Sequence, residues 1–212
     1  MKNITLIIIT FLSFNMFAQN EYVYQVLLLN EGSYDYYEEE ILEPVIIGKY
    51  DPETNVYSTI LEIPDARFAS DLIIDNEFFY VAADNKVLKY NLNTYELICF
   101  QDVPGVRKMA IYQDNLFITK GDYDVSSFSS VVFDSYLDVY STTDLTYLSS
   151  FDSDNGPEFS TESILINNDK LYVAINNAYE WGNYKGIIGV IDLNTMTYMN
   201  EINLGRSEEH TS

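Results

Sequence analysis

The chain has 212 residues, with 33 acidic and 11 basic side chains and a net charge of −22. That balance argues against nucleic acid or an anionic membrane surface as partner, since both need basic patches, while it permits cations, basic ligands or plain solubility. Aromatic residues make up 15 %, including 19 Tyr, which excludes a disordered chain and suits half-buried β-structure.

Residues 1–18 read as a secretory signal peptide. Lys2 supplies the charged start, Ile4 to Phe14 the apolar stretch and Ala18 the small residue at the cut. The stretch is too short to span a bilayer comfortably, and no Cys follows it to carry a lipid. The expected location is outside the cytoplasm: periplasmic, cell-surface or secreted.

From residue 22 onward the chain repeats a phrase. Lys49-Tyr50-Asp51-Pro52-Glu53-Thr54 recurs as Lys89-Tyr90-Asn91-Leu92-Asn93-Thr94, as Val139-Tyr140-Ser141-Thr142-Thr143-Asp144 and as Val190-Ile191-Asp192-Leu193-Asn194-Thr195. The starts lie 40, 50 and 51 residues apart. A second phrase keeps phase with the first. Phe79-Tyr80-Val81, Leu116-Phe117-Ile118 and Leu171-Tyr172-Val173 each follow a polar turn: Asp75-Asn76-Glu77, Gln113-Asp114-Asn115 and Asn167-Asn168-Asp169. Asn and Asp tolerate positive φ and bond their own backbone, so these turns close hairpins.

The unit therefore reads strand a, turn, strand b, loop, strand c, turn, strand d. Repetition of such a unit at this period predicts an all-β chain of four-stranded antiparallel blades, a β-propeller. Residues 22–64 hold strands b, c and d of a first blade, without strand a. Residues 65–103, 104–154 and 155–205 hold three complete blades. Propellers have four to eight blades, so about four blades make an open arc, and residues 19–205 read as a partial propeller within a longer natural chain. Residues 206–212, Arg-Ser-Glu-Glu-His-Thr-Ser, resemble a translated sequencing adapter and are expected to be non-native. Leader and tail together remove two basic and two acidic residues, so the net charge of the fold region stays at −22.

The single Cys99 sits in the apolar run Leu97 to Phe100 and reads as an inert thiol. The only His, His210, lies in the suspect tail. The remaining chain therefore lacks the usual general base, which points away from an enzyme.

Loop length locates a site. In a propeller the b–c and d–a connections emerge on one face. Three of the four blades carry long b–c insertions, and such asymmetry marks a binding face. The insertions hold Tyr34, Tyr36 and Tyr37 among Asp35 and Glu38 to Glu40, then Tyr123 among Asp122 and Asp124, then Tyr179, Trp181 and Tyr184. Arg67 and Arg107 lie in or after d–a connections on the same face, with Lys108, Glu158 and Glu162. Aromatic faces with polar neighbours suit a flat ligand such as a sugar or a ring-containing nutrient, and the arginines suit an anionic or polar group. The same residues also read as solvated loops shielding strand edges, and the charged ones as ion pairs between blades. No cofactor is expected. The acidic clusters offer calcium as an alternative, without an ordered D-x-D-x-D-G spacing.

The strand-b pattern Tyr80-Val81-Ala82 and Tyr172-Val173-Ala174, followed by Lys-Tyr-Asn-Leu-Asn-Thr or Val-Ile-Asp-Leu-Asn-Thr, resembles the YVTN-type (YncE-like) bacterial β-propellers. Leu28-Leu29-Asn30-Glu31-Gly32-Ser33 is similar to the opening of an exported propeller group. The resemblance covers residues 22–205. It implies a periplasmic or surface protein, in some relatives one that binds nutrients such as corrinoids, and it carries over no catalytic set. Three functions follow: a non-enzymatic binding module for a small ligand or protein partner, a structural or adhesion module of a surface protein, and a metal-dependent lactonase-type enzyme with residues in further blades.

Overall fold

The computed structural model describes residues 24–124, 126–127, 129–176 and 185–206. Residues 1–18, which read as a signal peptide, and nearly all of the adapter-like tail lie outside them. Among the described residues there are strands and turns and no helix, so none is long and apolar enough to cross a membrane.

Four antiparallel sheets follow one another along the chain. Strand β1 (Val26–Asn30) leads into a hairpin, β2 (Ser33–Asp35) and β3 (Glu40–Glu43), and then into β4 (Val45–Asp51) and β5 (Val56–Ile63). The first sheet is three-stranded, in the order β1-β4-β5. The second holds β6 (Ala69–Asp75), β7 (Phe78–Ala83), β8 (Lys86–Asn91) and β9 (Leu97–Asp102) in sequence order. The third runs β10 (Val106–Tyr112), β11 (Asn115–Lys120), β14 (Ser135–Ser141) and β15 (Tyr147–Asp152), with a small hairpin, β12 (Tyr123–Asp124) and β13 (Ser129–Ser130), between its middle strands. The fourth holds β16 (Thr161–Asn167), β17 (Lys170–Asn176), β18 (Lys185–Asp192) and β19 (Thr197–Arg206). Strand β19 runs one residue into the expected tail, pairing the backbone of Arg206 with Lys185.

The repeated phrase has a mechanical meaning. Its third residue turns the chain by accepting two amides. Asp51 Oδ1 takes Glu53 N at 2.8 Å and Thr54 N at 3.2 Å. Asn91 Oδ1 takes Asn93 N and Thr94 N, both at 2.9 Å, and Asp192 Oδ1 takes Asn194 N at 2.9 Å and Thr195 N at 3.1 Å. In the third copy Ser141 Oγ accepts Thr143 N at 3.1 Å. These amides hold the Asp51 and Asp192 carboxyls below the usual aspartate range. The residue after each phrase has positive φ: Asn55, Tyr95, Leu145 and Met196 at 57°, 60°, 60° and 53°. Left-handed backbone disfavours a bulky side chain. At Tyr95 and Leu145 packing offsets that strain, because both side chains drop into the contacts between sheets.

Strand alternation decides the packing. In β7, Phe79, Val81 and Ala83 join Val45 and Ile47 of the first sheet in one core, while Tyr80 and Ala82 join Leu116 and Ile118 of the third sheet in another. In β11 the neighbour of those two, Phe117, turns the other way, to Leu171, Val173 and Ile191 of the fourth sheet. The middle residue of the Phe-Tyr-Val type triplet thus faces the next sheet in the second and third sheets. Tyr80 and Phe117 are 1 % and 0 % exposed. Their counterpart Tyr172 is only half-buried, and Leu165 on neighbouring β16 is 64 % exposed. Burial pushes the ionisation of Tyr80, Tyr90 and Tyr140 up to about 12.

Polar groups lock the same contacts. Lys89, buried in β8, crosses to the third sheet and donates Nζ to Thr142 O at 2.7 Å and Thr143 O at 3.1 Å. Tyr80 O–H donates to the same Thr142 carbonyl at 3.1 Å, and Lys89 Nζ lies 3.9 Å from the Phe78 ring centre. Cys99 beside them is half-buried and burial pushes its thiol pKa up, consistent with an unreactive side chain.

This asymmetry generates a prediction. Phe117→Ala should cost about 3–5 kcal/mol, the range for an aromatic removed from a closed core. Tyr172→Ala, at the same repeat position, should cost less than about 2 kcal/mol. Urea unfolding of both variants measures the difference, and equal losses would contradict the packing scheme.

Candidate functional site

The inner strands β6, β10 and β16 each carry a bulge near the start: between Ala69 and Asp71, between Val106 and Met109, and between Thr161 and Ile164. A bulge frees residues from the ladder and re-aims them. The freed groups tie neighbouring sheets together. Asp71 Oδ2 accepts Met109 N at 2.8 Å, Ser70 Oγ donates to Arg107 O at 2.7 Å, and Lys108 Nζ donates to Ser70 O. The bulge residues Arg107 and Glu162 form an ion pair between the third and fourth sheets.

At the same end, strand b of the second, third and fourth sheets donates a terminal amide to the preceding connection. Asp84 N bonds Phe68 O at 2.8 Å, Gly121 N bonds Gly105 O at 2.8 Å, and Asn176 N bonds Ser160 O at 2.7 Å. Gly121 is required by close approach, since a Cβ there would meet Ser160 Cβ at 2.9 Å. These three ties draw the connections of successive sheets around one cleft of about 500 Å³, within the size range of small-molecule sites.

Tyr34, Tyr36, Arg67, Arg107 and Tyr123 all line this cleft. The structure therefore brings together five residues contributed by the first sheet's hairpin (Tyr34, Tyr36), the connection before β6 (Arg67), the bulge of β10 (Arg107) and the third sheet's hairpin (Tyr123). Tyr37, on the same hairpin, is 97 % exposed and is not among the lining residues. Tyr179, Trp181 and Tyr184 lie outside the described residues. Two insertions that read as loops contain paired strands: Tyr34 opposes Ile41, and Tyr123 opposes Ser130. Pairing holds their aromatic rings on ordered backbone.

Sequence reasoning named Glu39 and Asp122 only as acidic neighbours in the insertions and missed Phe68 as a lining residue and Asp84 as a partner of Arg67. Arg67 Nε donates to both Asp84 carboxylate oxygens at 3.0 Å, and this bond chiefly raises the guanidinium pKa. The Arg67 guanidinium carbon also lies 5.3 Å from the Phe68 ring centre and 5.8 Å from that of Tyr34, within cation–π range. Tyr34 and Tyr36 meet edge to face, their centroids 5.1 Å apart and planes at 83°. Asp124 takes Ser126 Oγ at 2.7 Å, Ser126 N at 2.8 Å and Ser127 Oγ at 2.8 Å, which hold its carboxyl at about 2. Asp122 Oδ1 accepts Tyr123 N at 2.8 Å. Among the described residues, no group of three or more His, Cys, Asp or Glu side chains is arranged to hold a metal ion.

No family model matches the chain, and no curated protein matches it. Among solved structures, hydrazine synthase of Kuenenia stuttgartiensis is similar, with a TM-score of 0.57 and 11 % identity over 76 % of this chain and 46 % of that one. This chain thus spans less than half of that chain's length, and the likeness concerns the fold alone. The N-terminal domain of Nup159 is a weaker likeness, with a TM-score of 0.43 and 13 % identity over 65 % of this chain and 34 % of that one.

The ion pairs separate scaffold from site. Lys120 Nζ and Asp138 Oδ2 lie 2.9 Å apart with side chains 12 % and 6 % exposed, whereas those of Arg107 and Glu162 are 37 % and 30 % exposed. Asp138→Ala strands a buried ammonium and should cost about 3 kcal/mol or more. Glu162→Gln should cost less than about 1 kcal/mol. Chemical denaturation checks both; a larger loss at Glu162 would make the cleft pair a structural clamp.

Proposed function

We propose that this chain is an exported, non-catalytic binding module, part of a YVTN-type β-propeller, which takes a small ligand in the cleft at the inner ends of its strands. The observation that carries this reading is the convergence of Tyr34, Tyr36, Arg67, Arg107 and Tyr123 on one cleft. Sheet packing alone does not require it. These residues sit on inserted hairpins, on a connection and at the β10 bulge rather than in the cores, and part of their surface remains available to a ligand. Ring faces supply stacking area, while the carboxylates and guanidinium groups fix orientation.

The propeller part of the reading is supported by the phased repeat and by the fan of sheets packed through their inner strands. The half-buried Tyr172 face supports a further sheet of the same kind packing there. The leader-like residues 1–18 support export. The scarcity of a general base supports binding over catalysis, since the only His stands at position 210.

Thermal unfolding against a panel of sugars, nucleosides, heteroaromatic vitamins and small amines tests the reading. A ligand at a hundred times its Kd adds about 2.7 kcal/mol, which raises Tm by several degrees for a domain of this size. We expect at least one panel member to do so, and the Tyr36→Ala and Tyr123→Ala variants to lose most of the shift. A panel without effect, or a shift that survives both substitutions, would refute the cleft as the site.

A further inference from the structure

We infer that the cleft selects a cationic ligand, one presenting a compact ammonium group; this rests on reading the cleft as the binding site. Positive charge in the lining is already committed. Arg67 holds Asp84 and Arg107 holds Glu162, so each guanidinium charge is already neutralised by a carboxylate. The lining carboxylates are in surplus: Glu39, Asp122 and Asp124 also face the cleft, and among the described residues none of these three is in an ion pair. An anionic ligand meets net repulsion there, and a neutral ligand leaves the excess negative charge uncompensated. A cation compensates it, and the −22 charge of the chain draws cations toward it.

The rings match that charge. Tyr34 and Tyr36 meet edge to face, 83° apart with centroids at 5.1 Å, and Tyr36, 56 % exposed, keeps ring surface for a ligand. An aromatic face is negative and attracts a cation, most strongly when the cation is weakly hydrated, as a quaternary ammonium is. Arg67 already rests against Tyr34 and Phe68 at the rim, which shows that these rings take a cation in this environment. The cleft of about 500 Å³ has room for a second one with its substituents. The sequence reading left the arginines open between an anionic or polar ligand and ion pairs between blades; the Arg107–Glu162 pair is of the second kind.

Three probes of nearly equal shape separate charge from size: choline, the neutral 3,3-dimethyl-1-butanol and the anionic 3,3-dimethylbutyrate. Calorimetric titration at low salt should show choline binding at least about tenfold more tightly than the alcohol and the anion more weakly still. Tyr36→Ala and Asp122→Asn should each weaken choline by about fivefold or more, with the urea midpoint unchanged. Raising salt from about 50 to 500 mM should weaken it further, as screening demands. If the alcohol or the anion binds as tightly as choline, the charge class is wrong although the cleft binds. Choline binding untouched by both substitutions places the cation elsewhere and overturns the inference. If no probe binds, the inference fails, and the broad thermal panel alone then decides whether the cleft is a binding site.

Discussion

A β-strand sends successive side chains to opposite faces, and the architecture of this chain depends on that alternation. In β7 and β11 both faces are covered, so neighbouring residues belong to different cores. Phe79 and Val81 face backward while Tyr80 and Ala82 face forward. The second and third sheets are thus each both lid and floor, and a central strand there cannot slip by one residue without exchanging its two cores. Where no described sheet follows, at Tyr172 and Leu165, the same pattern leaves apolar surface half-covered.

The cleft is a consequence of how the sheets are joined at their inner ends. Repeated bulges in β6, β10 and β16 release backbone and side-chain groups from the ladder, and these bridge to the next sheet rather than to solvent. The bridges hold the connections close together, with Gly121 where a side chain would not fit. The long hairpins of the first and third sheets then lean aromatic rings over the opening. Charge in the lining is divided between two committed arginines and a larger number of carboxylates, so the site's electrostatics follow from the pairing rather than from composition.

Much of the scaffold was legible from local pattern. The Asp51, Asn91, Ser141 and Asp192 turns and the hairpin turns all come from short-range chemistry that the sequence displays directly. The location of Tyr34, Tyr36, Arg67, Arg107 and Tyr123 on one side followed from counting residues between strands. Other features were not legible, because they depend on the rotation of one sheet against the next. Lys89 reads as a polar strand residue, yet it is buried, and its ammonium group bridges to the carbonyls of Thr142 and Thr143. Asp84 lies in a short, unremarkable turn and proves to neutralise Arg67. Tyr37 has the same composition signal as Tyr36, but the hairpin turns it to solvent.

Native-state hydrogen exchange tests the central claim, that each sheet is stabilised through its neighbours on both faces. The amides of β7, β8 and β11, clamped on both sides, should open only with global unfolding. Those of β17 and β18, covered on one side, should open at a clearly lower free energy. Equal protection across all four sheets would contradict the claim and place the stability within individual sheets.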